Sequence, residues 1–223
     1  HDLHPSKVVE RPKVIYCQKT GRYVMWLHID KRDYRQAAVG VAVSDSPVGP
    51  FRYLQTLRPL GLDSRDQTVF VDEHQIAWHI ASTNWNKTTL ISRLADDYQS
   101  FTGESLRVFS DRRMEAHALI RDQGRYWFVA SGCTGWDPNP ARSAVADDLA
   151  GPWTELGNPC TGPESETTFH CQSTYLFKKA DGQVVAMFDR WIKEDLQTSR
   201  YVWLPVEFGD GRMEIPWRER WEG

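Results

Sequence analysis

The chain has 223 residues, which is enough for one domain with a sizeable hydrophobic core. Its formal net charge of −3 argues against a surface that binds nucleic acid or a membrane. No apolar run approaches the roughly 20 residues that a membrane-spanning helix requires, so we expect neither nucleic acid nor a membrane among its partners.

The cysteines and the N-terminus leave the cellular compartment open. Cys17, Cys133, Cys160 and Cys171 show no CxxC spacing, which argues against a zinc site. Cys160 and Cys171 could close a loop through a disulfide in an oxidising compartment, but the sequence does not decide this. The chain opens at His1 with no signal-peptide pattern, so it is cytosolic, already processed or trimmed.

Taken in order, the chain contains four segments of one pattern, in which a polar residue precedes an apolar strand. The segments are Glu10–Tyr16, Asp66–Asp72, Glu115–Arg121 and Gln172–Lys178. They recur about every 50 residues. The second predicted strands are Tyr23–Ile29, Ile76–Ala81, Tyr126–Ser131 and Val184–Phe188. The third are Val39–Ser44, Thr89–Leu94, Ser143–Ala146 and Arg200–Pro205, and candidate fourth strands are Leu54–Leu57, Leu106–Phe109 and Met213–Ile215.

The third repeat shows the pattern most clearly, between Arg112 and Pro140. Its first two strands form a hairpin around the turn at residues 122–124. Glu115 stands just before the first strand, and a loop rich in Gly, Asn and Pro, with Trp136 in it, follows the second. An acid at a strand start that faces an aromatic loop is a common way to present chemistry to a sugar.

Repeats of this length with four short strands each are typical of a β-propeller. We therefore predict an all-β fold, a single propeller domain with blades at about residues 8–58, 64–110, 113–156 and 170–216. A β-sandwich also has many short strands, but the fixed phase of the repeat argues against it.

The first strand of each propeller blade lines the central axis, so residues of equal phase should meet there. Glu10, Asp66, Glu115 and Gln172 hold the same phase in their repeats. Crowded carboxylates repel one another and raise each other's pKa, which is costly in a purely structural role. The pattern therefore predicts a functional site at one mouth of the central channel.

Several motifs resemble glycoside hydrolase family 43, closest to the branch that holds the exo-β-1,3-galactanases. They are residues 10–16 (Glu-Arg-Pro-Lys-Val-Ile-Tyr), 40–51 (from Gly-Val-Ala-Val-Ser to Gly-Pro-Phe), 64–67 (Ser-Arg-Asp-Gln), 131–139 (from Ser-Gly-Cys-Thr to Pro-Asn) and 171–174 (Cys-Gln-Ser-Thr). The resemblance covers essentially the whole chain. It implies a five-bladed propeller that hydrolyses glycosides with inversion of configuration.

The chain departs from that pattern because it supplies four repeats instead of five. The blade that family members carry ahead of Glu10 is absent, and residues 1–9 look like the end of its linker. We therefore expect a gap in the ring. Its exposed sheet edges would pair with another chain or with the missing segment.

The resemblance implies a role for each of the four axis residues. Glu115 matches the general acid, and Asp66 matches the carboxylate that raises the pKa of this acid and orients it. Gln172 matches the position that holds the attacking water or serves as base. Glu10 matches a substrate-contacting carboxylate and is the alternative base, because a neutral amide is a poor one.

Several loop residues are candidates for the sugar subsite. They are Tyr34, Trp85, Asn86, Thr134 and Trp136. Each aromatic ring among them could instead pack against side chains of the protein itself. His117 and His170 lie beside the predicted site. One of them could belong to a proton network or lie next to a metal, but a hydrogen-bonded structural role is the favoured interpretation. No cofactor or metal is predicted, although the sequence leaves the presence of a structural calcium ion undecided.

Three functions compete at this stage. The first is exo-acting hydrolysis of β-1,3-linked galactan, with an oligo- or polysaccharide as the partner. The second is a propeller that binds carbohydrate without cutting it, and the third is a family 43 arabinofuranosidase or xylosidase. A secreted or periplasmic location is favoured over the cytoplasm.

Overall fold

The structure, a computed structural model, describes residues 2–222 of the chain and consists almost entirely of β-strands. It divides into two compact units, the first ending at Glu115 and the second beginning at Ala116. Helical segments among the described residues are short 3₁₀ turns at Pro59–Gly61, Ser165–His170 and Leu196–Thr198. No helix within residues 2–222 is long and apolar enough to cross a membrane.

The first unit holds two four-stranded antiparallel sheets, each formed by consecutive strands. The strands of the first sheet are β1 (Val8–Cys17), β2 (Arg22–Asp30), β3 (Ala38–Ser44) and β4 (Arg52–Leu57). Those of the second are β5 (Arg65–Val71), β6 (Ala77–Thr83), β7 (Thr88–Leu94) and β8 (Phe101–Val108). Up-and-down sheets of this kind are the building blocks of propellers.

The inner strands of this unit are buried on both faces, so their sequences are nearly continuous apolar runs. Every residue of β3 and of β6 is buried. Val24, Trp26, Val41 and Val69 belong to the core cluster. The Trp26 indole also donates a 3.0 Å hydrogen bond to the carbonyl of Tyr98, which satisfies its one polar group inside the core.

The second unit carries the third and fourth repeats. The third sheet consists of β9 (Met114–Asp122), β10 (Arg125–Gly132), β11 (Arg142–Ala146) and β12 (Thr154–Gly157), in the order β12-β11-β10-β9. Its first strand starts two residues before the unit boundary. The strand Thr154–Gly157 supplies a fourth strand that the sequence pattern did not reveal.

The fourth repeat forms two smaller sheets. After β13 (Cys160–Thr161), the strands β14 (Gln172–Lys178), β15 (Val184–Arg190) and β16 (Arg200–Pro205) make one sheet. The strands β17 (Glu207–Gly209) and β18 (Arg212–Pro216) join β13 in the other. The prediction of Met213–Ile215 as the fourth strand of its repeat is wrong, because β18 pairs in parallel with β13.

All four cysteines lie among the described residues, and none of them forms a disulfide. Cys160 and Cys171 are buried in the core cluster of the second unit, together with Phe169 and Phe188. Burial raises the pKa of the Cys160 thiol to about 12, and the neighbouring Cys171 contributes to the shift. The two residues therefore act as core thiols in this structure.

Candidate active site

Backbone bulges near the start of the first strands direct the predicted catalytic residues. The pairing of β1 with β2 shifts register between Glu10 and Lys13, and that of β5 with β6 shifts between Arg65 and Thr68. Inside these bulges Arg11 and Asp66 take left-handed φ values of 53° and 45°. A bulge of this kind bends the strand and re-aims its side chains, and it commonly lies beside a functional site.

Glu10 is held by two side chains from the same sheet. The Tyr34 hydroxyl donates a 2.8 Å hydrogen bond to Glu10 Oε1. His28, the cross-strand partner of Glu10, places Nδ1 3.3 Å from Oε2. Burial and the negative charge of Glu10 raise the pKa of Tyr34, so its hydroxyl keeps its proton and acts as a donor.

His28 lies between two carboxylates in the interior of the first unit. Its side chain is 1% exposed, and its Nε2 is 3.1 Å from Asp30 Oδ2. Asp30 is oriented in turn by the backbone N–H groups of Lys31 and Gln36, each 2.8 Å from Oδ1. Burial alone would lower the pKa of His28, but hydrogen bonding with Asp30 and Glu10 outweighs it and raises that pKa to about 9.

Asp66 lies beside a buried guanidinium. Arg11 Nε is 3.5 Å from Asp66 Oδ1, and the Arg11 side chain is 4% exposed. The Arg11 carbonyl accepts a 2.6 Å hydrogen bond from the Gln67 amide, so the bulge of β1 is tied to the strand that carries Asp66. The neighbouring cation favours the ionised form of Asp66.

Glu115 is oriented by a loop of unusual backbone geometry. Asn86 Nδ2 donates a 3.0 Å hydrogen bond to Glu115 Oε2, and the Asn86 carbonyl accepts one from the Met114 N–H. Asn84, Trp85 and Asn86 all have left-handed φ values, at 52°, 55° and 61°. Such conformations cost free energy in residues other than glycine and persist only where the surroundings enforce them.

Asp63 holds the loop at residues 84–86 in this left-handed conformation. Its Oδ1 accepts hydrogen bonds from Thr83 Oγ1 and from the Asn84 N–H, both at 2.9 Å, and its Oδ2 accepts one from the Trp85 N–H at 3.1 Å. It also forms an ion pair with Arg65. Burial alone would raise the pKa of Asp63, but these hydrogen bonds lower it to about 2. The Asp63 carboxylate therefore stays ionised at neutral pH.

Arg65 connects this loop to the surroundings of Glu10. Its guanidinium lies over the Trp85 ring, 4.4 Å from the centroid, and its Nη2 donates a 3.0 Å hydrogen bond to the Tyr34 carbonyl. The first unit therefore contains a continuous series of contacts from Glu10 through Tyr34, Arg65 and the 84–86 loop to Glu115.

Glu10, His28 and Asp66 each offer a possible metal-ligand atom, and these atoms lie within 4.8 Å of one another. An imidazole must be neutral to bind a cation. The carboxylates of Glu10 and Asp30 instead stabilise the proton on His28. We therefore interpret the cluster as an ion-pair network around a buried histidine.

In the second unit, the amide of Gln172 is fixed at both ends. Its Nε2 donates a 2.9 Å hydrogen bond to Ser131 Oγ, and its Oε1 lies 3.4 Å from Trp191 Nε1. An indole N–H can only donate, so the Gln172 oxygen must face Trp191. Trp191 also contacts the Trp136 ring edge-on, with the centroids 6.0 Å apart.

The loop that contains Thr134 is braced by Asn139. Asn139 Oδ1 accepts from the Gly132 N–H at 2.7 Å, and Asn139 Nδ2 donates to Thr134 Oγ1 at 2.7 Å. Thr134 Oγ1 donates in turn to the Asp137 carbonyl. The loop is thus internally bonded, and Trp136 remains 45% exposed on it.

The structure distributes the predicted site residues over both units. Glu10, Tyr34, Asp66, Asn86 and Glu115 lie in the first unit, and the contacts described above link them. Gln172, Thr134 and Trp136 lie in the second. The convergence of all four axis residues at one mouth, and their individual roles, stay predictions.

Sequence reasoning missed residues that orient the predicted ones. They are Arg11, His28, Asp30, Asp63 and Arg65 in the first unit and Ser131 and Trp191 in the second. Extending the hairpin register outward from the turn at residues 18–21 would have paired His28 with Arg11, and only the bulge between Glu10 and Lys13 shifts the pairing to Glu10. The positions of Asp63 and Trp191 had no comparable local signal.

The two histidines interpreted as structural lie in different environments. His117 is 1% exposed, with its ring centroid 5.4 Å from that of Phe128. His170 is exposed, and its Nε2 lies 3.2 Å from Glu164 Oε1.

Comparisons with known proteins were made against families and solved structures. A family model described as Glycosyl hydrolases family 43 matches residues 12–202. A family 43 β-1,3-galactosidase solved with galactodeoxynojirimycin is 39% identical, with a TM-score of 0.95 over 100% of this chain and 79% of that one. No curated protein sequence gives a significant match.

Two exo-β-1,3-galactanases are also similar to this chain. The enzyme from Phanerochaete chrysosporium, solved with β-1,3-galactotriose, is 36% identical, with a TM-score of 0.87 over 94% of this chain and 49% of that one. The enzyme from Clostridium thermocellum is 33% identical, with a TM-score of 0.88 over 96% and 50%. The predicted fold class is confirmed, a β-propeller of the five-bladed type with four blades in this chain.

Proposed function

Because the chain belongs to family 43 of the glycosyl hydrolases, we propose that it is an inverting glycosidase that removes galactose from the ends of β-1,3-linked galactan. The resemblance to the galactanase branch is confirmed by the similar structures described above. The chain spans 79% of the galactosidase but only about half of the two galactanases, 49% and 50%.

The observation that carries the proposal is the way in which contacts within the first unit fix the carboxyl groups of the family motif. The Tyr34 hydroxyl donates to Glu10 Oε1, and the Asn86 amide donates to Glu115 Oε2. Asp66 lies beside the Arg11 guanidinium. Acid catalysis of glycoside cleavage requires carboxyl groups that are held in fixed and distinct positions.

In the proposed reaction, Glu115 donates its proton to the glycosidic oxygen as the bond to the anomeric carbon breaks. A water molecule attacks that carbon from the opposite face and gives its proton to the base. In the role that the family motif implies, the charge of Asp66 keeps Glu115 protonated in the resting enzyme.

Glu10, oriented by Tyr34 and His28, accepts hydrogen bonds from sugar hydroxyl groups, and Tyr34 shares this contact surface. Gln172 holds the attacking water in the role that the family motif implies. Glu10 is the alternative base, because a neutral amide takes up a proton poorly.

Asn86, Thr134 and Trp136 complete the proposed sugar contacts. The family identifies the substrate as a carbohydrate. We further propose that this carbohydrate is galactan and that the protein is secreted or periplasmic.

Incubation with three substrates tests the function. We expect galactose as the released product from β-1,3-galactan, with the α-anomer appearing first by proton NMR, because inversion of a β-linkage gives that anomer. Aryl arabinofuranosides and xylosides should be cleaved far more slowly. Faster release of arabinose or xylose would favour the third function, and galactan binding without any cleavage would favour the carbohydrate-binding propeller.

A further inference from the structure

Trp85 is exposed to solvent although one face of its ring is rigidly supported. The side chain is 61% exposed, and the Arg65 guanidinium covers it from 4.4 Å. The Arg65 side chain is itself fixed by Asp63 and by the Tyr34 carbonyl. A large apolar ring held in this way packs little of its own surface and instead offers a flat face to a ligand.

The backbone beneath Trp85 is ordered before any ligand arrives. Three consecutive residues of its loop have left-handed φ values, and Asp63 accepts hydrogen bonds from the N–H groups of two of them. Fixing a binding ring in advance reduces the entropy lost when a ligand binds. The backbone strain of this loop therefore serves to position the exposed ring.

The place of Trp85 in the chain points to the side of the substrate that it would contact. The next residue, Asn86, orients Glu115, which donates its proton to the leaving oxygen in the proposed reaction. Glu10 and Tyr34, which are proposed to contact the sugar, are bonded to each other, and Arg65 lies between the Tyr34 carbonyl and the Trp85 ring. Along this series of contacts Trp85 lies on the side of Arg65 that leads to the acid, which is the side of the leaving group.

We propose that Trp85 is a stacking platform for the sugar unit on the leaving-group side of the scissile bond. The ligand class is a β-linked pyranose, whose C–H groups form an apolar patch on one ring face that suits an indole. This inference rests on the proposed function. It adds a binding position for the second sugar of the substrate, which none of the residues predicted for the glycone side provides.

The test compares Trp85→Ala and Trp85→Phe on substrates with and without a leaving sugar. We expect Trp85→Ala to lower kcat/KM for β-1,3-galactotriose about 3- to 10-fold, as loss of one aromatic contact would, mainly through KM. Trp85→Phe should recover part of the loss. Turnover of β-galactosyl fluoride, whose leaving group has no ring, and inhibition by galactose should stay within about twofold of wild type.

Tyr16→Ala is the matched control, since Tyr16 is an exposed aromatic residue near the far end of the strand that carries Glu10. It should leave all substrates unaffected. Wild-type kcat/KM for galactotriose in Trp85→Ala would overturn the inference, as would an equal loss on the fluoride, which would show that Trp85 shapes the glycone site. A loss on galactotriose confined to kcat, with KM and trisaccharide binding unchanged, would also overturn it, because it would show that Trp85 acts by positioning the acid.

A binding measurement separates failure of this inference from failure of the proposed function. If the wild-type protein cleaves no galactoside, the proposed function fails, but calorimetric titration with galactotriose and with galactose still reports on Trp85. We expect Trp85→Ala to weaken binding of the trisaccharide by a similar factor and to leave galactose binding unchanged. Equal affinities in the two proteins, or no wild-type binding of the trisaccharide, would refute the platform.

Discussion

His28 on β2 and Glu10 on β1 are cross-strand partners, and Nδ1 of the buried imidazole lies 3.3 Å from the Glu10 carboxylate. Asp30 contacts the other ring nitrogen at 3.1 Å. Two carboxylates around one ring stabilise the imidazolium. A residue with no direct role in the proposed reaction thereby helps to position one that contacts substrate.

The stability of the protein should fall as the pH rises from about 6.5 to about 9, because His28 loses its proton in this range. The pKa of His28 is raised to about 9 in the folded state, so its contribution is complete below the unfolded value and lost above the folded one. The difference corresponds to roughly 3 kcal/mol. Thermal melting across this range measures it.

Replacing His28 with Gln is the control for this titration. Gln keeps a hydrogen-bonding side chain but has no charge to lose, so the melting temperature of the variant should change much less over the same pH range. Asp30, Glu10 and Asp66 surround the ring, and Arg11 and Tyr34 lie against these carboxylates. A wild-type slope that survives in the variant would assign the titration to another group.

Replacing Asp66 with Asn should lower activity and move the basic limb of the pH–rate profile to lower pH. That limb reports the pKa of the acid, and Asp66 is proposed to raise it. For each pKa unit that Glu115 loses, the protonated fraction on the basic side falls about tenfold. The measurement is the pH dependence of kcat/KM on β-1,3-galactan oligomers.

The ion pair with Arg11 requires a separate control for this variant. The Arg11 side chain is 4% exposed, so the loss of the Asp66 charge also weakens the folded state. Thermal melting at each pH identifies the range in which the variant stays folded. Full activity and an unchanged profile within that range would remove Asp66 from the mechanism.

Gly40 on β3 should be intolerant of any side chain. A Cβ atom at this position would lie 2.8 Å from the Tyr53 ring and 2.9 Å from Ile29 Cγ1. Gly40→Ala should therefore lower the free energy of unfolding by about 1–3 kcal/mol, measured by chemical denaturation. Gly209→Ala is the matched control, because a Cβ there meets no heavy atom within 4 Å. Equal stability of the two variants would contradict the clash.

The strands and the phase of the repeat could be predicted from the sequence because alternation and turns are local signals. Glu10, Asp66 and Glu115 were predicted as site residues because each opens a repeat. His28 was not found because it occurs within the apolar strand Arg22–Asp30, where the sequence resembles ordinary core, and only its pairing with Glu10 reveals its role. The parallel pairing of β13 with β18 joins residues far apart in the chain, and no local pattern encodes it.

Replacing Glu115 with Gln keeps the shape of the side chain and removes the proton. General acid catalysis typically contributes about 10²–10⁴-fold, so activity on β-1,3-galactan should fall by about that factor. An aryl galactoside, whose leaving group needs little protonation, should lose much less if the enzyme accepts it. Galactose should still bind, because the groups around Glu10 remain in place.

The comparison of the two substrates separates an acid from a binding residue. In the structure, Asn86 donates its amide hydrogen to one oxygen of Glu115, and the glutamine side chain of the Glu115→Gln variant can still accept that hydrogen bond through its carbonyl oxygen. The variant therefore tests the proton and not the fold of the 84–86 loop. Equal losses on both substrates, or lost galactose binding with an intact kcat, would mean that Glu115 binds substrate and that another residue is the acid.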